Sequence, residues 1–437
     1  MQYIAQIILF LLCLYMFKIK REHKIALICL SPICLTAVSL PIPFGNANFI
    51  LPICFIISEI HNLPQYIREI QKTPLRFLML MMIIATFILL IHSPHYNNLH
   101  QFIRLFMMEL FGKYFVICLG FIMVYKYNQL KSIATSLFYS TIILTLFGIQ
   151  NLLTNNSFFI NSIGISDISF ADSDRFRVQA MFINPFDYGF ICIIVLLFYL
   201  YLHSKDTIST KRFWIVIACC IFGIIFCGCR TIILCAAIGI SLYYLRINKF
   251  NNNFKLISVT CVLLVTSYLT IPFIRDKIDQ TTTIFQTNSE VKGSSIEMRI
   301  TQFLAVLYYT KDNLWYGNGK DYFLIDLGWA DGFENAVDKD LCGLEGVLFV
   351  LLLEHGIIGI IFYIIFYTTL IYLTIQYKRI DKQSSALFMS ILLTYLVFAN
   401  ATGELLSPYP TLLFSGICLK LIYIKKEQDK LNILPQK

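Results

Sequence analysis

Arg230 stands where an apolar chain has little reason to hold a cation. It follows Phe226-Cys-Gly-Cys and precedes Thr231-Ile-Ile-Leu, so almost no polar connection separates two apolar stretches. A charge held there snorkels, pairs, or meets an anionic ligand. The planar guanidinium fork, which stays charged and offers several donors, suits phosphate or carboxylate. Arg175, Arg177 and Arg299, in two long polar segments, are further candidates; for each the alternative is a local ion pair or a solvated face. Glu345 lies just before a long apolar run, between Gly343 and Gly346. A partly desolvated carboxylate can have a raised pKa and serve as a general base, or simply orient a hydroxyl. Asp338 and Asp340 are nearby alternatives, and Glu354 and His355 fall more than two turns further on, deeper in the same run. His355 reads as a core or ligand-lining histidine. Asn184, before Pro185, belongs to the loop that carries Arg175 and Arg177 into the next span.

Other chemistries find no support. No nucleophile elbow announces a Ser-His-Asp triad. Gly317 and Gly319 permit a tight turn but make no dinucleotide fingerprint, and no strand precedes them. Asp-x-Asp spacing occurs at Asp172 and Asp174 and at Asp338 and Asp340 without a soluble sugar-nucleotide domain around it. The fourteen cysteines form neither a CxxC repeat nor a Cys/His ladder. No metal and no cofactor is expected.

The elements that must position these residues are membrane helices. The chain has 437 residues, 57% hydrophobic and 14% charged, too little polar surface to cover several soluble cores. A span needs roughly 20 mostly apolar residues. Such stretches recur at 1–17, 25–40, 48–60, 75–91, 108–125, 132–153, 186–202, 213–229, 231–245, 256–272, 347–375, 384–400 and 409–424. The expectation is an all-α polytopic membrane protein of 12–13 transmembrane helices in a single domain over 1–437, with 48–60 short enough to re-enter. Residues 1–17 lack a basic leader region and a small-residue cleavage site, and are expected to remain as a span.

The net charge of +9 is better explained by placement than by nucleic acid, which is not expected as a partner. Alternate connections hold 23 of the 35 Lys and Arg residues and the others hold 12, seven of them in one long loop where charge bias counts little. The C-terminus and the lysine-rich connections are therefore expected in the cytoplasm, and the segments 154–185 and 273–346 outside. In the second, Met298, Phe303, Leu304, Leu307 and Tyr308 fall near one face of a helix over about 296–311. That helix would lie on the membrane or cap the bundle.

Over residues 130–420 the order of these features resembles the O-antigen polymerase and O-antigen ligase superfamily of bacterial integral-membrane glycosyltransferases. The run RVQAMFINPFDYG from Arg177 to Gly189 looks like the family's Arg-led turn before a span, with Asn184 before Pro185 instead of after it. Cys227-Gly-Cys-Arg230 is similar to its Thr-Gly-Ser-Arg patch, with cysteines in place of the polar neighbours. Arg299, Gly317-Asn-Gly319 and EGVLFVLLLEHGIIG from Glu345 to Gly359 look like its external arginine, its turn and its glycine-rich span entry. Ligases usually place a histidine at that entry. This chain has Glu345, which favours a polymerase.

The resemblance implies a substrate, an undecaprenyl-diphosphate-linked oligosaccharide repeat delivered to the outer face of the bacterial inner membrane. It implies transfer of the growing glycan from its lipid diphosphate to a hydroxyl of the next repeat, giving O-antigen, capsule or exopolysaccharide without metal or nucleotide. Arg230 and Arg299 would act with Glu345 in catalysis, and Arg177, Arg175, Asp340, His355 and Asn184 would bind substrate. A chain-length regulator, a flippase and membrane lipids are the implied partners. The alternatives are a ligase, which moves finished polymer to an acceptor, and a polysaccharide flippase.

Overall fold

The computed structural model describes residues 2–42, 45–96, 98–162, 177–247, 296–329, 336–338, 341, 344, 346–403 and 407–433. These are almost entirely helical: α1 Gln2–Met16, α2 Arg21–Cys34, α3 Ala47–Ser58, α4 Leu63–Gln71, α5 Leu75–Ile91, α6 Leu99–Glu109, α7 Val116–Met123, α8 Leu130–Thr154, α9 Phe158–Ser162, α10 Pro185–Ser204, α11 Thr210–Phe226 and α12 Arg230–Ile247. After the segment 248–295 come α13 Ile296–Thr310, α14 Tyr322–Ile325, α15 Val347–Gln376, α16 Lys382–Thr402 and α17 Pro408–Ile433. The chain is a multi-pass membrane protein with a helix-containing region outside the spans.

Among the described residues five helices are long and apolar enough to cross a membrane, or up to seven if each of two bent pairs is one span. The five contain α8, α10, α12, α15 and α16, while the pairs α3 with α4 and α6 with α7 bend by 71° and 49°. The larger count expected from apolar runs meets local chemistry here. The 48–60 run turns at Glu59 into α4, whose alternation of Leu63, Tyr66, Ile67 and Ile70 with charged residues suits an interfacial helix. The run 256–272 lies outside the described residues. So do 163–176 within the expected segment 154–185 and much of 273–346, although α13 falls within the expected 296–311.

Close approach of small residues sets the packing, as expected where lipid supplies no hydrophobic drive between helices. A Cβ on Gly120 of α7 would fall 2.1 Å from the Leu413 carbonyl oxygen, and one on Gly416 of α17 equally near that of Ile117, so these helices cross backbone to backbone. In α10 sixteen of its 20 residues are buried, which puts it at the centre, against α8, α11, α12 and α16.

The contacts sort the connections into two ends. Arg21 donates to the Ile122 carbonyl at 2.7 Å, Tyr127 to that of Leu421 at 3.2 Å, and Tyr377 bonds Tyr423 at 2.8 Å. Lys205 pairs with Asp381 at 3.5 Å, and Arg246 donates to the Thr374 carbonyl at 2.6 Å. One end therefore gathers connections read as lysine-rich from sequence. The other gathers the candidate arginines.

Candidate functional site

Arg177 is held by its backbone and its stem. Val178 N–H donates to the Phe226 carbonyl at 3.0 Å, tying the loop to the end of α11. The Arg177 side chain crosses the Gly228 turn, where a Cβ would lie 3.1 Å from Arg177 Cγ and where φ is +68°. Its guanidinium sits 5.6 Å from the Phe186 ring centre. Arg230, two residues past Gly228, is half-buried and opens α12. Backbone N–H groups at that terminus favour negative charge beside the arginine.

Arg299, half-buried on α13, donates from Nη2 to the Ala401 carbonyl at 2.7 Å, near the end of α16. A Cβ on Gly346 would lie 3.0 Å from the neighbouring Asn400 carbonyl oxygen. Helices α12 and α16 run antiparallel, with Gly239 against Thr394 and Arg246 against Ser385. Nine residues back from Gly239 is Arg230, and nine on from Thr394 is Gly403; each is ~13 Å along its helix. Arg230 is thus level with the end of α16, where Arg299 docks. The structure brings Arg177 to the turn before Arg230 and sets Arg299 at the same end.

The remaining sequence candidates divide. Glu345, Asp340 and Arg175 lie outside the described residues; Gly346, which adjoins Glu345 in the chain, is at the end of α16 with Arg299. Asn184 Oδ1 accepts from Phe186 N–H at 2.8 Å and so caps α10, an ordinary helix-starting role ahead of Pro185. Asp338 is beside α13: burial and this carboxylate push the Tyr309 phenol above its ordinary value. His355 belongs to a second group of polar residues, inside α15.

That second group is organised by a break in α15. Gly356 has φ 62° and ψ −161°, so the helix cannot continue its own hydrogen bonds there. The segment Leu314–Lys320 runs against the break and supplies them. Asn318 N–H donates to the Leu353 carbonyl at 3.0 Å and Gly319 N–H to that of Glu354 at 2.8 Å. Ile357 and Ile358 donate to the carbonyls of Leu314 and Trp315 at 3.0 and 3.1 Å. Broken helix backbone at membrane depth persists only when protein or water satisfies it, and this strap does so. Glycines on both sides of the contact are required by space: a Cβ on Gly317 of the strap would lie 2.5 Å from the Glu354 carbonyl carbon, and one on Gly356 of α15 2.5 Å from that of Trp315.

The strap delivers Lys320 into a ring of carboxylates. Its Nζ is 3.3 Å from Glu354 Oε2, 3.7 Å from Asp321 Oδ1 and 3.8 Å from Glu109 Oε1. Burial pulls the Lys320 ammonium toward neutrality, and Glu354 and Glu109 more than reverse it, holding its pKa above the ordinary lysine value. Glu109, the last residue of α6, also pairs at 3.2 Å with Lys113 of the π-helical turn Leu110–Tyr114 that joins α6 to α7. Further bonds fix the strap from α5 and its loop: Ser93 Oγ accepts from Lys320 N–H at 2.8 Å, Tyr96 donates to Asp321, and His95 bonds Asp326 at 2.6 Å. Beside this ring Glu109, Lys113 and His355 line a cavity of about 30 Å3, enough for a water or two.

Sequence reasoning saw the Gly-x-Gly turn and Glu354-His355 but missed the ring that joins them. The available signals were Glu109 and Lys113, four apart in an otherwise apolar run, and Lys320 directly after Gly319. Among the described residues no group of three His, Cys, Asp or Glu side chains is arranged to hold a metal ion. Comparison with protein-family models and with curated proteins found no match for this chain.

Proposed function

We propose that this protein polymerises lipid-diphosphate-linked oligosaccharide repeats into a surface polysaccharide at the outer face of a bacterial inner membrane, as a metal-independent glycosyltransferase of the O-antigen polymerase type. The observation that carries the reading is the set of half-buried arginines at the end of the bundle away from the lysine-rich connections. Arg177 crosses the Gly228 turn two residues before Arg230, and Arg299 reaches the end of α16, level with Arg230. A cationic group fed by three separate segments fits a diphosphate whose lipid tail stays in the bilayer. The lysine-rich end then faces the cytoplasm, in keeping with the charge bias of short loops.

In this reading the arginines bind the donor's diphosphate and stabilise the charge that builds on it as the anomeric carbon–oxygen bond breaks. They raise the rate only so far as they favour that developing charge over the bound ground state. Glu345 takes the proton of the acceptor hydroxyl as its oxygen bonds the anomeric carbon. The products are a glycan one repeat longer on one lipid diphosphate and a free lipid diphosphate. Both substrates are anchored in the same leaflet, so their meeting is confined and oriented before chemistry begins.

The test is chain growth by the purified protein in liposomes supplied with a lipid-linked repeat from its own pathway. Wild type should yield a ladder of products. Glu345→Gln, which keeps size and removes the base, should lower the rate by ~10²–10⁴-fold. An undiminished ladder from Glu345→Gln would exclude a required carboxylate at this position.

A further inference from the structure

Away from both polar groups, the two bent helix pairs enclose an apolar groove of about 400 Å3 between α3, α4, the π turn and α7. Its wall on α3 runs from Asn48 to Ile56, ~12 Å of helix, and on α7 from Val116 to Ile122. The groove is therefore elongated along α3. Ile53, Ile67 and Phe111 in its wall are exposed, so it opens sideways to the surroundings of the bundle, which for a membrane protein is the bilayer. A cavity this large with such a lining gives water too few partners to stay. Its fitting occupant is hydrocarbon.

One end of the groove adjoins charge of one predominant sign. Ile70 and Ile122 line the apolar part, while Glu69 and Phe121, on the same two helices, and Lys72, just past the end of α4, line a second cavity of about 250 Å3 with α17. Four lysines, Lys72, Lys420, Lys426 and Lys430, and two glutamates, Glu69 and Glu427, surround it. Lys420 is committed to Glu69 at 2.5 Å and lies 4.9 Å from the Phe121 ring centre, so it neutralises that carboxylate and leaves Lys72, Lys426 and Lys430 to a ligand. Lys72 and Lys430 are exposed and Lys426 is half-buried. The lysines exceed the carboxylates by two.

We infer that this paired cavity is a binding site for an anionic glycerophospholipid of the leaflet at the lysine-rich end, one acyl chain lying along α3 and the headgroup phosphate among Lys72, Lys426 and Lys430. An acyl chain matches the long apolar groove, and an anionic headgroup matches the excess lysine charge at its mouth. The site is at the opposite end of the bundle from the arginines. It does not rest on the glycosyl-transfer reading and concerns a structural lipid, not a substrate.

The experiment is native mass spectrometry of the full-length protein, delipidated in detergent and titrated with dioleoylphosphatidylglycerol or dioleoylphosphatidylcholine. Wild type should retain the phosphatidylglycerol with about tenfold or greater preference. Lys72→Gln combined with Lys426→Gln should bring the two lipids to near parity. Ile53→Trp, at an exposed position of the groove wall, should lower retention of phosphatidylglycerol while leaving the protein folded by circular dichroism. Equal retention of both lipids by wild type would overturn the proposal. So would unchanged retention in the Ile53→Trp variant, or displacement of the lipid by inorganic phosphate at equal concentration, which would make the basic cavity an anion site with no use for the groove.

Discussion

Cells in which Arg299→Ala or Arg230→Ala replaces the wild-type chain should accumulate single repeats on lipid, with polymer reduced by ~10²–10³-fold, the usual cost of removing one preorganised donor to a developing charge. The two variants act on different supports. Arg299 spans from α13 to the Ala401 carbonyl, so its loss removes a guanidinium and also a tie between the external helix and α16. Arg230 is the first residue of α12 and can be truncated without removing a helical turn. Lysine at either position should recover little, because a point charge does not reproduce a planar fork of donors. Normal chain length from Arg230→Ala protein present at wild-type level would remove that arginine from the mechanism. Glycan size, separated by gel electrophoresis, is the readout, and the amount of folded protein is checked in parallel.

The second large effect concerns stability. Gly356→Ala should unfold or grossly destabilise the protein, because its Cβ would lie 2.5 Å from the Trp315 carbonyl group in a backbone conformation with φ 62°. The conformational strain alone is ~1–3 kcal/mol, and displacement of the strap would also release the hydrogen bonds that close the α15 break. Lys320→Met tests the same construction by charge. It leaves the almost wholly buried Glu354 without its nearest cation, a change that costs ~3–5 kcal/mol for a buried pair. Glu354→Gln added to Lys320→Met should return much of that loss, since the orphaned charge is then gone. Thermal unfolding in detergent measures all three. An additive double variant, with Glu354→Gln recovering nothing, would show that Lys320 and Glu354 are not coupled.

The sequence foresaw what depends on composition and periodicity, and missed what depends on backbone meeting backbone. Long apolar runs announced α8, α10, α12, α15 and α16, and Pro185 announced the start of α10. The grouping of Lys205 with Asp381 and Tyr377 with Tyr423 at one end follows from the alternation of connections. The bend of 48–60 into α4 was half visible, since that run is too short for a full span. The break in α15 was not legible: Gly356 looks like many glycines in membrane helices, and only the strap explains its φ. Because the ring around Lys320 depends on that docking, Glu109, Lys113 and Asp321 carried no sign of sharing a site across more than 200 residues. Asn184 shows the converse. Its type and place beside the arginine loop suited substrate binding, while its side-chain oxygen caps α10.

The central claim is most directly tested by deleting the gene and sizing lipid-linked and released glycans, with and without the wild-type chain restored. Polymerase activity predicts outward-facing single repeats on lipid after deletion and the full ladder on restoration. Full-length polymer retained on its lipid carrier would contradict it in favour of a ligase, repeats held on the inner leaflet in favour of a flippase, and an unchanged glycan profile would contradict glycosyl transfer altogether.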